Sequence, residues 1–260
     1  SSANDNNSGG GIFCAEEAST SPVTLVTDCI VSNNVANAGG GGAYRGARVM
    51  RCRFFDNGSQ NEGGAVANCC IYECVFDCNY GLYGVSQPND TRGCTFGANT
   101  KSWNKSDNRC ALRNDPNSAV WRVFNCLFLG GVKCPVKHVH NCIMPSEGFI
   151  YSDKSGSQNH SDLIIAKVDG DSSYAPAYDS AAANAANMDY VKDWELEGDA
   201  YGNPRRSNGG MDVGAVEADW RLRYAAILGS RTSVKEASWD VVATGTPGVL
   251  IPDGRTMNVD

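Results

Sequence analysis

Six segments of the form apolar-x-x-Cys-x-apolar recur along this chain, beginning at Val26, Val49, Ile71, Thr91, Val123 and Val139, with Thr91 the one weak match. Their cysteines are Cys29, Cys52, Cys74, Cys94, Cys126 and Cys142, and two residues further on stand Val31, Phe54, Phe76, Phe96, Phe128 and Met144. The steps between cysteines are 23, 22, 20, 32 and 16 residues. A step of about twenty is too short for a pair of helices but fits three short strands and three corners. Side chains on a strand alternate with period two, so the Cys and the residue two beyond it face one way. The aliphatic residue three before the Cys shares that core only if the chain turns between them.

The intervening residues suit such a corner. Asp28, Gly93, Asn125 and Asn141 tolerate a left-handed backbone, whereas Arg51 and Glu73 do not favour it. A second corner is expected at Asn34, Asn57, Asn79 and Asn99. A third is expected at Gly9 to Gly11, Gly39 to Gly42 and Gly63 to Gly64, leading into Ile12, Ala43 and Ala65. Stacking places like residues about 4.8 Å apart, so each column of Val, Cys or Phe buries itself against the repeats above and below. The expected fold is all-β, a parallel β-helix, right-handed because parallel crossovers almost always are.

Two patches carry a family resemblance. Gly63-Gly64-Ala65-Val66 followed by Phe76-Asp77-Cys78-Asn79 resembles the paired motif of polymorphic outer-membrane-protein repeats. Phe54-Phe55-Asp56-Asn57 and Phe96-Gly97-Ala98-Asn99 match it too, while Val31-Ser32-Asn33-Asn34 departs at its first residue. Further on, Asp199-Ala200-Tyr201-Gly202-Asn203-Pro204-Arg205 and then Gly209-Gly210-Met211-Asp212-Val213-Gly214-Ala215-Val216-Glu217 resembles the closing segment of bacterial pectate-lyase-like β-helix proteins that carry varied surface anchors. The resemblance spans roughly residues 9 to 217. It implies an extracellular or bacterial cell-surface setting but no single activity, because the fold hosts lyases, hydrolases, adhesins and passive passengers alike.

The expected organisation is a β-helix over residues 1–217, with regular repeats over about 9–146 and an irregular closing region over 147–217. Residues 218–260 then form a C-terminal cap or the start of a further β domain. A short helix is expected within Ala181 to Ala186, and two strands around Thr246-Pro247-Gly248. The long step from Cys94 to Cys126 must loop out, and loops on a repeat protein are where function usually sits.

Charge bears on partners. The chain carries −7 with a pI near 5.0, which excludes nucleic acid as a bulk partner. No stretch is long and apolar enough for direct membrane insertion. Against that background, residues 101–140 hold seven basic residues and only two acidic ones. Trp103, Lys105, Arg109, Arg113, Trp121, Arg122, Lys133 and Lys137 are the candidate ligand-binding set, with Arg forks for carboxylate or sulfate and indoles for a sugar ring. The partner they suit is an anionic glycan or a host or cell-surface ligand. A solvated basic loop is the alternative.

Other chemistries fit less well. Cys134-x-x-x-His138-x-His140-x-Cys142 and Cys69-Cys70-x-x-x-Cys74-x-x-x-Cys78 hold soft ligands but lack paired CxxC spacing, and Cys74 and Cys142 already belong to the core column. No metal site and no cofactor are expected. The column thiols are expected to stay reduced, whereas Cys14, Cys69, Cys70, Cys78, Cys110 and Cys134 are free to pair, foremost through Cys110. The carboxylates Asp28, Asp56, Glu73 and Asp77 mostly fall at or beside corners, and the Asn-Thr-Asp, Asp-Asp and Gly-His-Gly signatures of polygalacturonase-like hydrolases are missing. No residue is assigned a catalytic role. The expected function is a surface adhesin or scaffold, with a polysaccharide-active enzyme, lyase or glycoside hydrolase, as the alternative.

Overall fold

The structure, a computed structural model, describes residues 10–14, 24–37, 39–60, 63–81, 83–86, 88, 90–97, 101–102, 112–113, 122–129, 138–145, 159–161, 164–166, 168, 174–177, 180–206, 210–218, 239–240 and 251–252. Among them the regular structure is strands, with two short 3-10 turns at Met188–Tyr190 and Asp193–Glu197 and no α-helix. Residues 181–184 form a tight turn rather than a helix, with Ala183 N–H donating to Ser180 O.

Four parallel sheets account for all but two of the strands. Sheet 1 holds Ile12–Phe13, Ala43–Tyr44, Gly63–Ala67, Tyr83–Ser86 and Leu112–Arg113. Sheet 2 holds Leu25–Thr27, Arg48–Met50, Cys70–Tyr72, Asp90–Arg92, Arg122–Phe124, His138–His140 and Asn159–Ser161. Sheet 3 holds Ile30–Ser32, Arg53–Phe55, Val75–Asp77, Thr95–Phe96, Leu127–Phe128, Ile143–Met144 and Ile164–Ile165. Sheet 4 holds Val35–Ala36, Gly58–Ser59, Tyr80–Gly81 and Lys101–Ser102. The chain visits the sheets in rotation, so each strand pairs with the one a full repeat away. Trp239–Asp240 and Ile251–Pro252 pair antiparallel with each other. The strands at residues 159–161 and 164–165 extend sheets 2 and 3 into the stretch that the sequence reads as closing region.

Register puts like on like. Val26, Val49, Ile71, Thr91, Val123 and Val139 pair in file across sheet 2, and Val31, Phe54, Phe76, Phe96 and Phe128 do so across sheet 3. The rings of Phe54, Phe76, Phe96 and Phe128 stack with centroids 5.2, 5.3 and 4.8 Å apart. Each such pair contributes about 0.5–1.5 kcal/mol beyond area burial. Between these files run the cysteines. Cys29 N–H donates to Cys52 Sγ, Cys52 N–H to Cys74 Sγ, Cys94 N–H to Cys126 Sγ and Cys126 N–H to Cys142 Sγ, each at 3.4 Å. None of these six is in a disulfide. Cys29, between the end strands of sheets 2 and 3, is exposed, whereas the other five are fully buried.

The corner between sheets 2 and 3 is left-handed throughout: Asp28, Arg51, Glu73, Gly93, Asn125 and Asn141 all have φ between 47° and 54°. Arg51 and Glu73, poor residues for that backbone, are held by ion pairs, Arg51 to Asp28 at 2.7 Å and Glu73 to Arg205 at 2.9 Å. The next corner lies one residue earlier than the asparagines suggest, at Asn33, Asp56 and Cys78, with φ of 58°, 52° and 54°. Asn34, Asn57 and Asn79 form a ladder instead. The N–H and Nδ2 of Asn34 both donate to Asn57 Oδ1, and those of Asn57 to Asn79 Oδ1, at 3.0–3.1 Å. The Gly-rich corner follows from close backbone approach. A Cβ on Gly41 would lie 2.3 Å from the Gly64 and Gly58 carbonyl oxygens.

Residues 174–218 return over the outward side of sheets 2 and 3. Ala175, Ala200, Ala215 and Val216 pack on Val75, while Ala182 and Val213 pack with Val168 on Leu127 and Ile143. Polar ties follow the same path. Tyr174 O–H donates to Asp77 at 2.8 Å, Ala215 N–H to Thr95 Oγ1 at 2.8 Å, and Gly214 N–H to Asn125 O at 2.9 Å. Asn125 Nδ2 donates to Asn187 O at 3.1 Å, and Asn187 N–H donates back to Asn125 Oδ1 at 3.0 Å.

Candidate functional site

Alternate residues of sheet 2 point away from the Val file and form two outward columns. The first runs through Leu25, Arg48, Cys70, Asp90 and Arg122, and the second through Thr27, Met50, Tyr72, Arg92, Phe124 and His140. In the second column Arg92 Nε donates to Asp90 Oδ2 at 2.8 Å, and Tyr72 O–H donates to the same oxygen at 3.3 Å. Burial pushes the Tyr72 phenol up, so it remains a donor. The Arg92 guanidinium lies 4.5 Å over the Phe124 ring and donates to Tyr190 O at 2.6 Å. Phe124 stacks on His140 at 5.3 Å, and Tyr190 packs over both rings.

The second column is thus roofed by Tyr190, while the first stays open. Arg48 and Arg122 are exposed on it, three strands apart, which sets their backbones about 14 Å from each other. Asp90 between them is already engaged by Arg92. The open column therefore presents two guanidiniums with the intervening carboxylate neutralised, an arrangement that favours acidic groups spaced along an extended ligand.

Of the eight residues that the sequence nominates, Arg122 sits on this column and is exposed. Arg113 lies on a sheet 1 strand, with its side chain outside the described residues. Trp103, Lys105, Arg109, Trp121, Lys133 and Lys137 lie outside the described residues, as do Cys110 and Cys134. Trp121 and Lys137 immediately precede Arg122 and His138 in the chain, at the head of two adjacent sheet 2 strands. Arg48 and Arg92 escape sequence reasoning because they lie outside the basic stretch. The signal that would find them is their position one residue before or after the Val file.

Among the described residues no three of His, Cys, Asp and Glu come together in a metal-binding group. His140 and Cys142 point to opposite sides, the ring onto Phe124 and the thiol into the core. The four carboxylates considered for catalysis are dispersed. Asp28 pairs with the Arg51 guanidinium, which holds its carboxyl below the usual range; Asp56 is exposed; Asp77 is tied to Tyr174; and Glu73 is sealed.

Glu73 belongs to a second polar constellation, built by the motif at residues 199–217. Arg205 is fully buried, with Nη1 2.7 Å from Glu217 Oε1, and Nη2 2.9 Å from Glu73 Oε2 and 2.7 Å from Gly214 O. Glu73 Oε2 lies within ion-pair range without hydrogen-bond alignment, and Glu73 Oε1 and Arg205 Nε are buried with no hydrogen-bond partner. Asp199 accepts from Tyr201 N–H, Asn203 N–H, Asn203 Nδ2 and Glu217 N–H, all within 3.2 Å. Asp212 accepts from Asn184 and Ala218 N–H, each at 2.6 Å. Burial is the leading effect on Glu73, Glu217 and Glu195, raising Glu73 well above the carboxylate range and Glu217 to about 8 against the pull of Arg205, and Glu195 to about 7 against the Lys192 N–H and Arg92. With Arg205 and Glu73 sealed from water, this constellation is a fastener between the returning segment and the sheet 2–3 corner, not a place where a ligand lands.

Comparison of the chain with family models, with curated proteins and with solved structures finds no match to any of them.

Proposed function

We propose that the four sheets are the walls of a right-handed parallel β-helix of the pectate-lyase-like kind, acting outside a bacterial cell as an adhesin or scaffold that holds an acidic glycan. The rotation of successive strands through four parallel sheets, with Val, Cys, Phe and Asn each stacked in file, supports the fold. The observation that carries the function is the open outward column of sheet 2, where Arg48 and Arg122 flank an Asp90 already paired with Arg92. A rigid rod with a linear cationic rail suits a linear polyanion lying along the stacking direction. Cationic forks pair with its carboxylates or sulfates.

Calorimetric titration with acidic oligosaccharides tests this. Uronic-acid or sulfated oligomers are expected to bind, more weakly at high salt, and the Arg48→Ala, Arg122→Ala double variant is expected to lose at least tenfold in affinity. Unchanged affinity in that variant would overturn the reading. Release of reducing ends, or of unsaturated product absorbing near 235 nm, would instead establish the enzymatic alternative.

A further inference from the structure

The returning segment is fastened by a cluster whose charges do not balance. Six carboxylates (Glu73, Asp90, Glu195, Asp199, Asp212 and Glu217) share two guanidiniums, Arg205 and Arg92. Glu73 faces Arg205, Glu195, Glu217 and Asp199. Glu217 faces Arg205, Asp212 and Asp199. Glu195 faces Arg92, Asp90, Arg205 and the backbone N–H of Lys192. Excess negative charge in a dry site is expelled or neutralised by protons.

Hydrogen bonding says where the protons go. Asp199 accepts four N–H donors, Asp212 two, Asp90 one from Arg92 and one from Tyr72, and Glu217 one from Arg205 and one from the Asp212 N–H. They already outnumber the two guanidiniums. Glu73, whose two buried oxygens accept no aligned hydrogen bond, is the carboxyl left to carry a proton.

The same segment helps to hide part of sheet 3, with Val168 beside it over Leu127 and Ile143. Val75, Leu127 and Ile143 are fully buried beneath it. Ile30 stands in the same outward column one strand beyond Arg53, and it is 61% exposed. Lifting the segment would open Val75 and strip part of the cover from Leu127 and Ile143.

We infer that the described residues of 174–218 are a proton-locked strap, held on sheets 2 and 3 while Glu73 is neutral, and loosened as rising pH ionises Glu73, to expose Val75 and thin the cover over Leu127 and Ile143. The released strap keeps its own Asp199 turn, so what changes is its seat on the corner and not the repeats beneath.

Hydrogen exchange on the full chain at pH 6 and pH 9.5, normalised for intrinsic rates, is the test. Amides of 210–218 are expected to lose at least tenfold in protection at pH 9.5, while Ala65 to Ala67 in sheet 1 keep theirs. Equal protection of both regions at the two values, or parallel loss in both, would overturn the proposal. Glu73→Gln, a neutral isostere, is expected to retain strap protection at pH 9.5, and loss equal to wild type would refute the role of Glu73. Should that variant fail to fold, the wild-type comparison alone still decides whether the strap loosens.

Discussion

Arg205 Nη2 lies 2.9 Å from Glu73 Oε2, and neither side chain reaches water. The pair joins the left-handed corner between sheets 2 and 3 to the motif at residues 199–217. Arg205 also supplies donors to Gly214 O and Glu217. Arg205→Met strips donors from Glu217 and Gly214 O, and each buried acceptor left unsatisfied costs about 1–3 kcal/mol. Arg205→Lys is expected to recover little, because an ammonium does not reproduce the planar fork. Urea unfolding at pH 6 measures both, and a Lys variant of wild-type stability would show that charge alone holds the corner.

Stability should fall as pH rises. Burial raises Glu217 to about 8 and Glu195 to about 7 from an ordinary value near 4.5. Between those values the folded chain holds more protons than the unfolded one, so the slope of unfolding free energy with pH is negative. The favourable contribution is fully present below about 4.5 and is lost as pH passes through 7 and 8. Asp28 runs the other way but titrates lower, its carboxyl held down by Arg51. Melting temperatures at equal ionic strength are expected to be higher at pH 6 than at pH 9. The reverse order would remove Glu217 and Glu195 as proton carriers.

The cysteines should separate by reactivity. Cys29 is exposed, whereas Cys52, Cys74, Cys94, Cys126 and Cys142 are sealed in the core, and burial pushes the neighbouring Cys69 thiol up to about 12. Thiolates are the reactive form. Brief alkylation of native protein, read by peptide mass, is expected to label Cys29 first and the five buried column thiols only in denaturant. Early labelling of Cys74 would contradict the stacked core.

The sequence carries the repeat plainly because its period is set by contacts between like residues. Val, Cys and Phe recur at positions that alternate on a strand, and the left-handed corner shows itself in Asp28, Gly93, Asn125 and Asn141. Asn34, Asn57 and Asn79 mislead by one residue, since an asparagine serves a ladder as well as it serves a corner. Glu73 hides its partner completely. Its pairing with Arg205 spans about half of the chain and leaves no local pattern, only the oddity of a long acidic side chain at a corner suited to Asp, Asn or Gly. The sheet 2 rail was half visible, through Arg122. Arg48 becomes part of it only once strand register sets the two in one column.

The asparagine ladder yields a graded prediction. Asn79 Oδ1 accepts both the N–H and the Nδ2 of Asn57, and its own Nδ2 donates to Phe54 O and Asp77 O. Asn79→Ala leaves buried donors and acceptors unmatched on three residues, at about 1–3 kcal/mol for each group that stays unsatisfied. Asn34, at the outer end, is only half-buried, and its Nδ2 donates to Ser32 O and Asn57 Oδ1. Water replaces what Asn34→Ala removes, so its loss is expected below about 1 kcal/mol. Chemical unfolding of both variants reads the difference directly. Equal losses would mean that stability is shared along the whole file, whereas a steep gradient places the energy in burial, where an amide has no solvent to fall back on.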